Sequence, residues 1–167
     1  MIAATLAAMA AIASTPSLGT EEGRCRSPEP GPAFEVMVAG LKDRSGELRL
    51  ELYPDNDADF FADDNKLLAA GKTFARVIVA PPAAGAVEMC IRAPHPGRYA
   101  LMLLHNRNAG RKFDLTHDGV GFAGNPRLGW SKPRAASAAA VAGPGLTRLT
   151  IILNYWHGLS MRPVEVP

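Results

Sequence analysis

A series of short segments in which apolar and polar residues alternate is the feature that most constrains the fold. Residues 47–53, ELRLELY, alternate leucines with charged side chains, and residues 34–41, FEVMVAGL, follow a similar pattern. A period of two residues is typical of a half-buried strand. The turn KDRSGE lies between the two segments, so together they predict a β-hairpin.

Similar segments recur along the chain between turns rich in glycine and proline. The further predicted strands are residues 74–80, 86–93, 98–105, 137–142 and 147–155. About seven short strands, with no long amphipathic helix, predict an all-β antiparallel sandwich rather than alternating strands and helices. A chain of 167 residues is about one domain. We assign the sandwich to residues 25–156 and a C-terminal tail, beyond the last strand, to residues 157–167.

The first residues, MIAATLAAMAAIAS, form an uncharged apolar run that a polar segment follows. This pattern predicts a secretory signal peptide, with AIA at residues 11–13 as the cleavage motif, and residues 1–24 as signal plus polar leader. No lysine or arginine precedes the run, so a disordered alanine-rich leader is the alternative. The run falls short of the roughly 20 apolar residues of a membrane-spanning helix, and the mature chain is expected to have none.

Two cysteines, Cys25 and Cys90, add to the expectation of export. An even number of cysteines in an exported chain is typical of a disulfide. A bond between Cys25 and Cys90 would join the N-terminal segment to a strand, and two independent reduced thiols are the alternative. The sequence therefore predicts a periplasmic or secreted protein.

The stretch HNRNAGRKFD, after the predicted fifth strand, resembles the first half of a calcium-binding loop because oxygen-bearing side chains recur at alternate positions. The candidate ligand-binding residues are His105, Asn106, Asn108, Arg111, Lys112 and Asp114. Gly110 stands where the third ligand is expected, and three basic residues lie nearby. A turn whose asparagines cap their own backbone is therefore favoured over a cation site, and an anion is the first ligand to test.

The acidic connection PDNDADFFADDNKLLAAGK, residues 54–72, has room for one helical turn around residues 60–68, and its stretch DNDADFFADDN is a second candidate metal site. Its alternating carboxylates are Asp55, Asp57 and Asp59. A solvated loop is the favoured interpretation and a weak calcium site the alternative. If the strands alternate in direction, this loop and the His105 loop lie at opposite ends of the sandwich.

Charge is nearly balanced, at +2 overall with 20% charged residues, and gives no reason to expect nucleic-acid binding. Residues 98–134 contain seven basic and two acidic residues. This distribution predicts a basic pole opposite an acidic one, and an anionic partner such as a membrane headgroup, a glycan or an acidic protein.

Enzyme motifs give little support for catalysis. The histidines show no paired zinc spacing, and neither a nucleophile elbow nor a phosphate-binding glycine loop is present. An acid/base set of His105, Asp114 and His117 within the long loop is the one arrangement to consider. A non-enzymatic protein without a cofactor is favoured.

Four blocks of the sequence resemble the bacterial family catalogued as domain of unknown function 2141. They are GLKDRSGELRLELYPD, PGRYALMLLHNRNAGRKFD, GVGFAGNP and LTIILNY, and they extend the resemblance over residues 34–155. Where the family pattern has aspartate directly after the histidine, this chain has Asn106. The resemblance implies an exported immunoglobulin-like or prealbumin-like sandwich without an assigned activity, in which Tyr99 packs at the sandwich edge and Phe113 plugs its loop onto the core.

The functional expectation is a non-enzymatic binding or accessory module of the cell envelope, with an unidentified partner for which an anionic one is the first candidate. The alternative is a cation-stabilised or weakly catalytic domain that uses the loop from His105 to Asp114.

Overall fold

The computed structural model describes residues 18–110 and 112–164. The predicted signal peptide and its cleavage motif, the candidate Arg111 and the last three residues lie outside these ranges. No helix among the described residues is long and apolar enough to cross a membrane.

The described chain is built from eleven strands and one short helix. The strands are β1 (Thr20–Glu21), β2 (Ala33–Ala39), β3 (Glu47–Pro54), β4 (Ala75–Val79), β5 (Val87–Arg92), β6 (Gly97–Asn106), β7 (Gly119–Phe122), β8 (Ala139–Ala142), β9 (Leu146–Ile152), β10 (Asn154–His157) and β11 (Ser160–Pro163). Helix α1 (Asp64–Ala69) lies in the second half of the acidic connection. Its first turn is capped by the Asp63 carboxylate, which accepts a hydrogen bond from the Asn65 backbone N–H. A 3₁₀ turn, Ala135–Ala138, precedes β8.

Two sheets share one core. The larger sheet has the order β1-β4-β3-β6-β7-β10-β11, with β8 paired to the first part of β6, and the smaller sheet has the order β5-β2-β9. Inward side chains of both sheets, among them Phe34, Val36, Leu50 and Leu103, form the main hydrophobic cluster. The all-β prediction is confirmed, whereas the immunoglobulin-like or prealbumin-like grouping stays a prediction.

The antiparallel part of the prediction is wrong, because β2 pairs with β9 in parallel and β1 pairs with β4 in parallel. Neither pair is joined by a tight turn, so nothing in the connection forces the strands to run in opposite directions. The strand predicted at residues 147–155 is divided between the two sheets: β9 ends at Ile152, and β10 begins in the other sheet at Asn154. The intervening Leu153 is fully buried, and its backbone N–H donates to Ala39.

The ends of the chain also differ from the prediction. β11 lies within the C-terminal tail predicted for residues 157–167 and pairs with β10. The prediction that this tail follows the last strand is therefore wrong. β1, within the predicted polar leader, joins the larger sheet. The predicted disulfide between Cys25 and Cys90 is present and links the N-terminal segment to β5 in the smaller sheet.

The larger sheet is covered on both faces, and this arrangement positions the candidate site. Its outer face contributes Tyr53 and Phe122 to a second hydrophobic cluster. Phe60 and Leu67, which lie outside the sheet, belong to the same cluster. The segments between β3 and β4 and between β7 and β8 supply much of this cover. Strand β6 is therefore buried on two sides, as its apolar residues at both odd and even positions require.

Candidate functional site

The asparagines of the predicted ligand loop bind their own backbone. Asn106 is buried, its Oδ1 accepts from the Gly110 N–H at 3.1 Å, and its Nδ2 donates to the Gly110 carbonyl at 2.9 Å. The Oδ1 of Asn108 accepts from the same N–H at 2.9 Å. These side chains close a turn, so their oxygens do not converge on a common ligand position.

Asp118 holds the two ends of the long loop together. It is buried, and its carboxylate accepts from the backbone N–H of Arg107 at 3.0 Å and from that of Asp114 at 2.8 Å. Sequence reasoning missed this residue, because a single aspartate before the GVGF block has no pattern of its own.

His105 is fully buried, and both of its ring nitrogens have partners. Nδ1 lies 2.7 Å from the Tyr155 hydroxyl, and Nε2 lies 2.9 Å from the Ser45 carbonyl. The Tyr155 oxygen also accepts from the Lys42 backbone N–H. Tyr155 can thus donate to Nδ1 while Nε2–H donates to Ser45, the neutral tautomer that burial favours by lowering the pKa of His105.

Two further contacts close this end of the molecule. Arg107 donates two hydrogen bonds to the Asp43 carboxylate, and these hold the pKa of Asp43 down at about 2. Gly119 lies against the Tyr155 ring, where an added Cβ would come within 2.4 Å of a ring carbon. The His105 end of the larger sheet is therefore a closed polar network with a structural role.

The other described residues predicted as ligands, Lys112 and Asp114, lie at the molecular surface. Asp114 meets His117, as the acid/base prediction requires, with its Oδ2 3.1 Å from Nδ1. Hydrogen bonds from Thr116 lower the pKa of Asp114. Both ring nitrogens of His105 bind other partners, so the predicted acid/base set of His105, Asp114 and His117 is not assembled. Lys112 is exposed, and Phe113, which was expected to plug the core, is 45% exposed.

The three carboxylates of the acidic connection are separated by basic partners. Asp55 pairs with Arg98, Asp57 with Arg134 and Asp59 with Lys72. Asp57 also accepts from the backbone N–H of Ala135 at 2.8 Å. Each carboxylate thus ties the connection to a different neighbour, and nothing brings the three around one ion.

These ion pairs also limit the predicted division into a basic and an acidic pole. The antiparallel register of β3 and β6 does place the acidic connection and the His105 loop at opposite ends of the larger sheet, as expected. Arg98 and Arg134, however, lie at the acidic end, where they pair with aspartates. Long connections thus return part of the basic stretch 98–134 to the acidic end, and the division into two poles is incomplete.

The described residues contain no usual arrangement of side chains for binding a metal ion. The one group of three candidate ligand atoms in the described ranges belongs to Cys25, Glu35 and Cys90. The two sulfur atoms are joined in the disulfide, so they cannot bind a cation as thiolates.

An apolar pocket of about 360 Å³ opens on the outer face of the larger sheet. Its floor consists of Met102 and Leu104 from β6 and Val120 and Phe122 from β7. The registers Met102↔Phe122 and Leu104↔Val120 place these four side chains on one face. A concave, apolar surface of this size is typical of a small-molecule site.

Loops on either side form the walls of this outer-face pocket. Phe113 and Leu115 come from the loop between β6 and β7 (residues 107–118), which we name the signature loop. Leu128 and Pro133 come from the segment after β7, and Phe61 comes from the acidic connection. Among the described lining residues, Lys132 is the one with an ionisable side chain, and its Nζ lies 5.1 Å from the centre of the Phe61 ring. Sequence reasoning found this loop but assigned the function to its polar residues, whereas its apolar residues line the cavity.

A larger cleft of about 650 Å³ lies between the N-terminal segment and the region of β4 and β5. Its lining includes Glu22, Arg24 and Glu88 and the residues Ala80, Pro82 and Ala86 of the connecting turn. It lacks the continuous apolar floor of the outer-face pocket.

The comparisons with known proteins identify a family. The family model described as "Uncharacterized protein conserved in bacteria (DUF2141)" matches residues 36–149. The chain belongs to the DUF2141 family. The search of curated proteins and the search of solved structures gave no significant match. The residues matched by the DUF2141 model include the pocket floor and the walls formed by the signature loop and by the segment after β7. Met161, which also lines the pocket, lies outside the matched residues, and so does Cys25.

Proposed function

We propose that this DUF2141 protein is a non-enzymatic binding or accessory module of the bacterial cell envelope that binds an apolar small molecule in the outer-face pocket. One observation carries the proposal: the side chains of Met102, Leu104, Val120 and Phe122 form an apolar floor that the surrounding loops leave open. A site that excludes water from apolar side chains gains affinity in proportion to the buried apolar area.

The signature loop has a structural part in this proposal. Asn106, Asn108 and Asp118 fix the backbone of the loop, and the loop in turn holds Phe113 and Leu115 against the pocket. The polar residues predicted as ligands thereby position apolar residues that touch the ligand. Lys132 at the rim favours a ligand that also carries an anionic group.

An envelope location is supported by two features. The disulfide between Cys25 and Cys90 fits an oxidising compartment. The apolar run at the start of the sequence fits an export signal. The proposal accordingly includes a periplasmic or secreted location for the protein.

The alternative, a cation-stabilised or weakly catalytic domain, has less support. The side-chain oxygens of Asn106 and Asn108 are used by the loop backbone, and both nitrogens of His105 are occupied. Thermal melting with and without calcium separates the two. Under our proposal calcium leaves the melting temperature unchanged, whereas a rise would favour the cation-stabilised domain.

Titration with N-phenylnaphthylamine, an uncharged apolar dye that fluoresces in apolar sites, tests the pocket. We expect saturable binding to the wild-type chain and at least about ten-fold weaker binding to Val120→Glu, because a carboxylate on the floor must lose its water when the dye binds. Val120 is only partly buried, so folding tolerates the change.

The matched control is Val141→Glu, which places the same new charge on an exposed residue of β8 outside the pocket. This variant should bind the dye as the wild type does. Equal affinities of Val120→Glu and wild type, with both melting normally, would rule out the pocket as the site, and so would the lack of saturable binding by the wild type.

A further inference from the structure

The mouth of the outer-face pocket is surrounded by large apolar side chains that remain exposed. The exposed large hydrophobic residues at or beside it are Phe113 at 45%, Leu115 at 44% and Trp130 at 84%, and Leu159, at 78%, lies on the hairpin that contributes Met161 to the pocket. Phe113 and Leu115 line the pocket, and Trp130 lies between two lining residues, Gly129 and Ser131. Exposed apolar residues concentrated at one place mark an interaction surface.

The edge hairpin of β10 and β11 extends this surface. Trp156 pairs with Met161 across the two strands, so both side chains lie on the same face, and Met161 lines the pocket. The Trp130 ring stands edge-on to the Trp156 ring at 5.9 Å. Leu159 lies at the tip of the same hairpin, between the two strands.

Basic side chains surround these apolar residues. They are Lys132 in the pocket lining, and Lys112 and Arg127, which are adjacent in sequence to the lining residues Phe113 and Leu128. Within residues 18–110 and 112–164, none of the three forms an ion pair with a carboxylate. Arg127 also lines a neighbouring cleft that shares Leu128 and Met161 with the pocket. We name the three basic residues together with Phe113, Leu115, Trp130 and Leu159 the mouth surface.

Most basic residues elsewhere in the described chain form ion pairs, with Arg24, Lys42, Arg44, Lys66 and Arg162 as the exceptions. Arg98, Arg107, Arg134 and Arg148 each pair with a described aspartate or glutamate. Unpaired cations around exposed aromatic and aliphatic side chains are complementary to a surface that is negatively charged outside and apolar within. An anionic lipid bilayer has these two properties.

We infer that the mouth surface docks on a membrane containing anionic lipids. Trp130 and Leu159 enter the headgroup region, where tryptophan is enriched in membrane-bound proteins, and the three basic side chains face the phosphates. The pocket then opens toward the bilayer. This inference goes beyond the proposed binding of a small molecule, because docking does not require that the pocket be filled.

Co-sedimentation of the full chain with lipid vesicles tests the docking. We expect the protein to bind vesicles of phosphatidylglycerol mixed with phosphatidylcholine more tightly than vesicles of phosphatidylcholine alone, and to lose that preference at high salt. Replacing one cation, as in Lys132→Gln, should weaken binding to the mixed vesicles about five-fold. The double variant Trp130→Ser with Leu159→Ser should weaken it at least about ten-fold.

A matched control keeps the N-terminal run of the chain from confusing the result. Val141→Ser removes an apolar side chain that is 58% exposed on β8, and every variant contains the same N-terminal residues. Val141→Ser should bind as the wild type does. In a Trp156→Phe background, addition of mixed vesicles should also shift the fluorescence of Trp130 to shorter wavelength.

Three results would overturn the inference. They are equal binding to both kinds of vesicle, unchanged binding by the double variant, and a wild-type dimer in solution that the double variant converts to a monomer, since a second copy would then be the occupant. Dye binding in the pocket is measured without vesicles, so it can succeed where docking fails and fail where docking succeeds.

Discussion

His105 shows how a residue that looks functional in sequence can be structural in the fold. A histidine beside asparagines and basic residues suggested a ligand site, yet burial and two hydrogen bonds hold it as a neutral ring between Tyr155 and Ser45. The charged groups around it are Asp43, Arg107 and Asp118. Burial outweighs the carboxylates, and the pKa of His105 falls below its usual value.

This lowered pKa predicts a loss of stability in mild acid. The unfolded chain takes up a proton on His105 near pH 6.5 while the folded chain resists it, so the free energy of unfolding falls as pH falls below about 6.5. The slope from this residue reaches at most about 1.4 kcal/mol per pH unit. Urea unfolding of wild type and His105→Gln between pH 7.5 and pH 5 measures it.

The glutamine variant serves as the comparison because it retains a neutral hydrogen-bonding side chain without a titrating group. We expect its unfolding free energy to change less with pH than that of the wild type. Asp43 titrates lower, at about 2, so its contribution is lost only in stronger acid. Parallel pH profiles of the two proteins would contradict a neutral, buried His105.

At the scale of elements, a buried ion network joins helix α1 to the larger sheet. The Arg76 side chain in β4 donates to Glu51 in β3 at 2.7 Å and to Asp64 at the start of α1 at 3.1 Å. The Tyr53 hydroxyl donates to the other oxygen of Glu51. All of these residues are buried, so each charge depends on its partner for stability.

Removal of the cation from this network should therefore destabilise the fold strongly. We expect Arg76→Met to lower the free energy of unfolding by about 3–5 kcal/mol, because Glu51 and Asp64 are left buried without a counter-charge. Arg148→Met removes an exposed partner of Glu35 and should cost less than about 1 kcal/mol. Guanidinium unfolding compares the two. Similar losses in both variants would show that burial of the network does not matter.

Strand β6 explains which elements the sequence predicts and which it does not. Apolar residues at both odd and even positions of RYALMLLH indicate a strand covered on both faces, and this signal could have located the pocket floor at Met102 and Leu104. β7 escaped prediction because GVGF contains two glycines, which are weak strand formers. Its Gly121 lies so close to Ile152 that an added Cβ would be 2.5 Å from the Ile152 carbonyl oxygen. Contacts of this kind depend on tertiary structure and have no local pattern.

For the whole molecule, local patterns predicted the strands and the cysteines predicted their covalent link, but pairing across the chain was not predictable. The parallel partners β2 and β9 are more than a hundred residues apart in sequence, and no local signal specifies such a pair. The mouth surface is likewise assembled from the signature loop, the segment after β7 and the edge hairpin. Each part is unremarkable alone, and their common position depends on the topology of the larger sheet.

The N-terminal segment contributes to the whole molecule by linking the two sheets. β1 pairs with β4 in the larger sheet, and Cys25 is bonded to Cys90 in the smaller one. Arg92 strengthens the second link, since its guanidinium donates to the Glu29 carboxylate and to the carbonyls of Glu22 and Arg24. The segment before Ala33 therefore crosses the open edge between the sheets.

Loss of the disulfide should weaken the fold without abolishing it. The bond closes a loop over a sequence separation of 65, and in the chain-entropy model such a loop contributes roughly 4 kcal/mol by restricting the unfolded chain. Guanidinium unfolding should show that Cys25→Ser with Cys90→Ser has a lower midpoint and that dithiothreitol lowers the wild-type midpoint to match. Dithiothreitol should leave the double variant unchanged, because that variant has no disulfide to reduce. Two results would mean that the disulfide does not hold the segment to the smaller sheet. One is a wild-type midpoint that dithiothreitol leaves unchanged, and the other is an unreduced wild-type midpoint equal to that of the double variant.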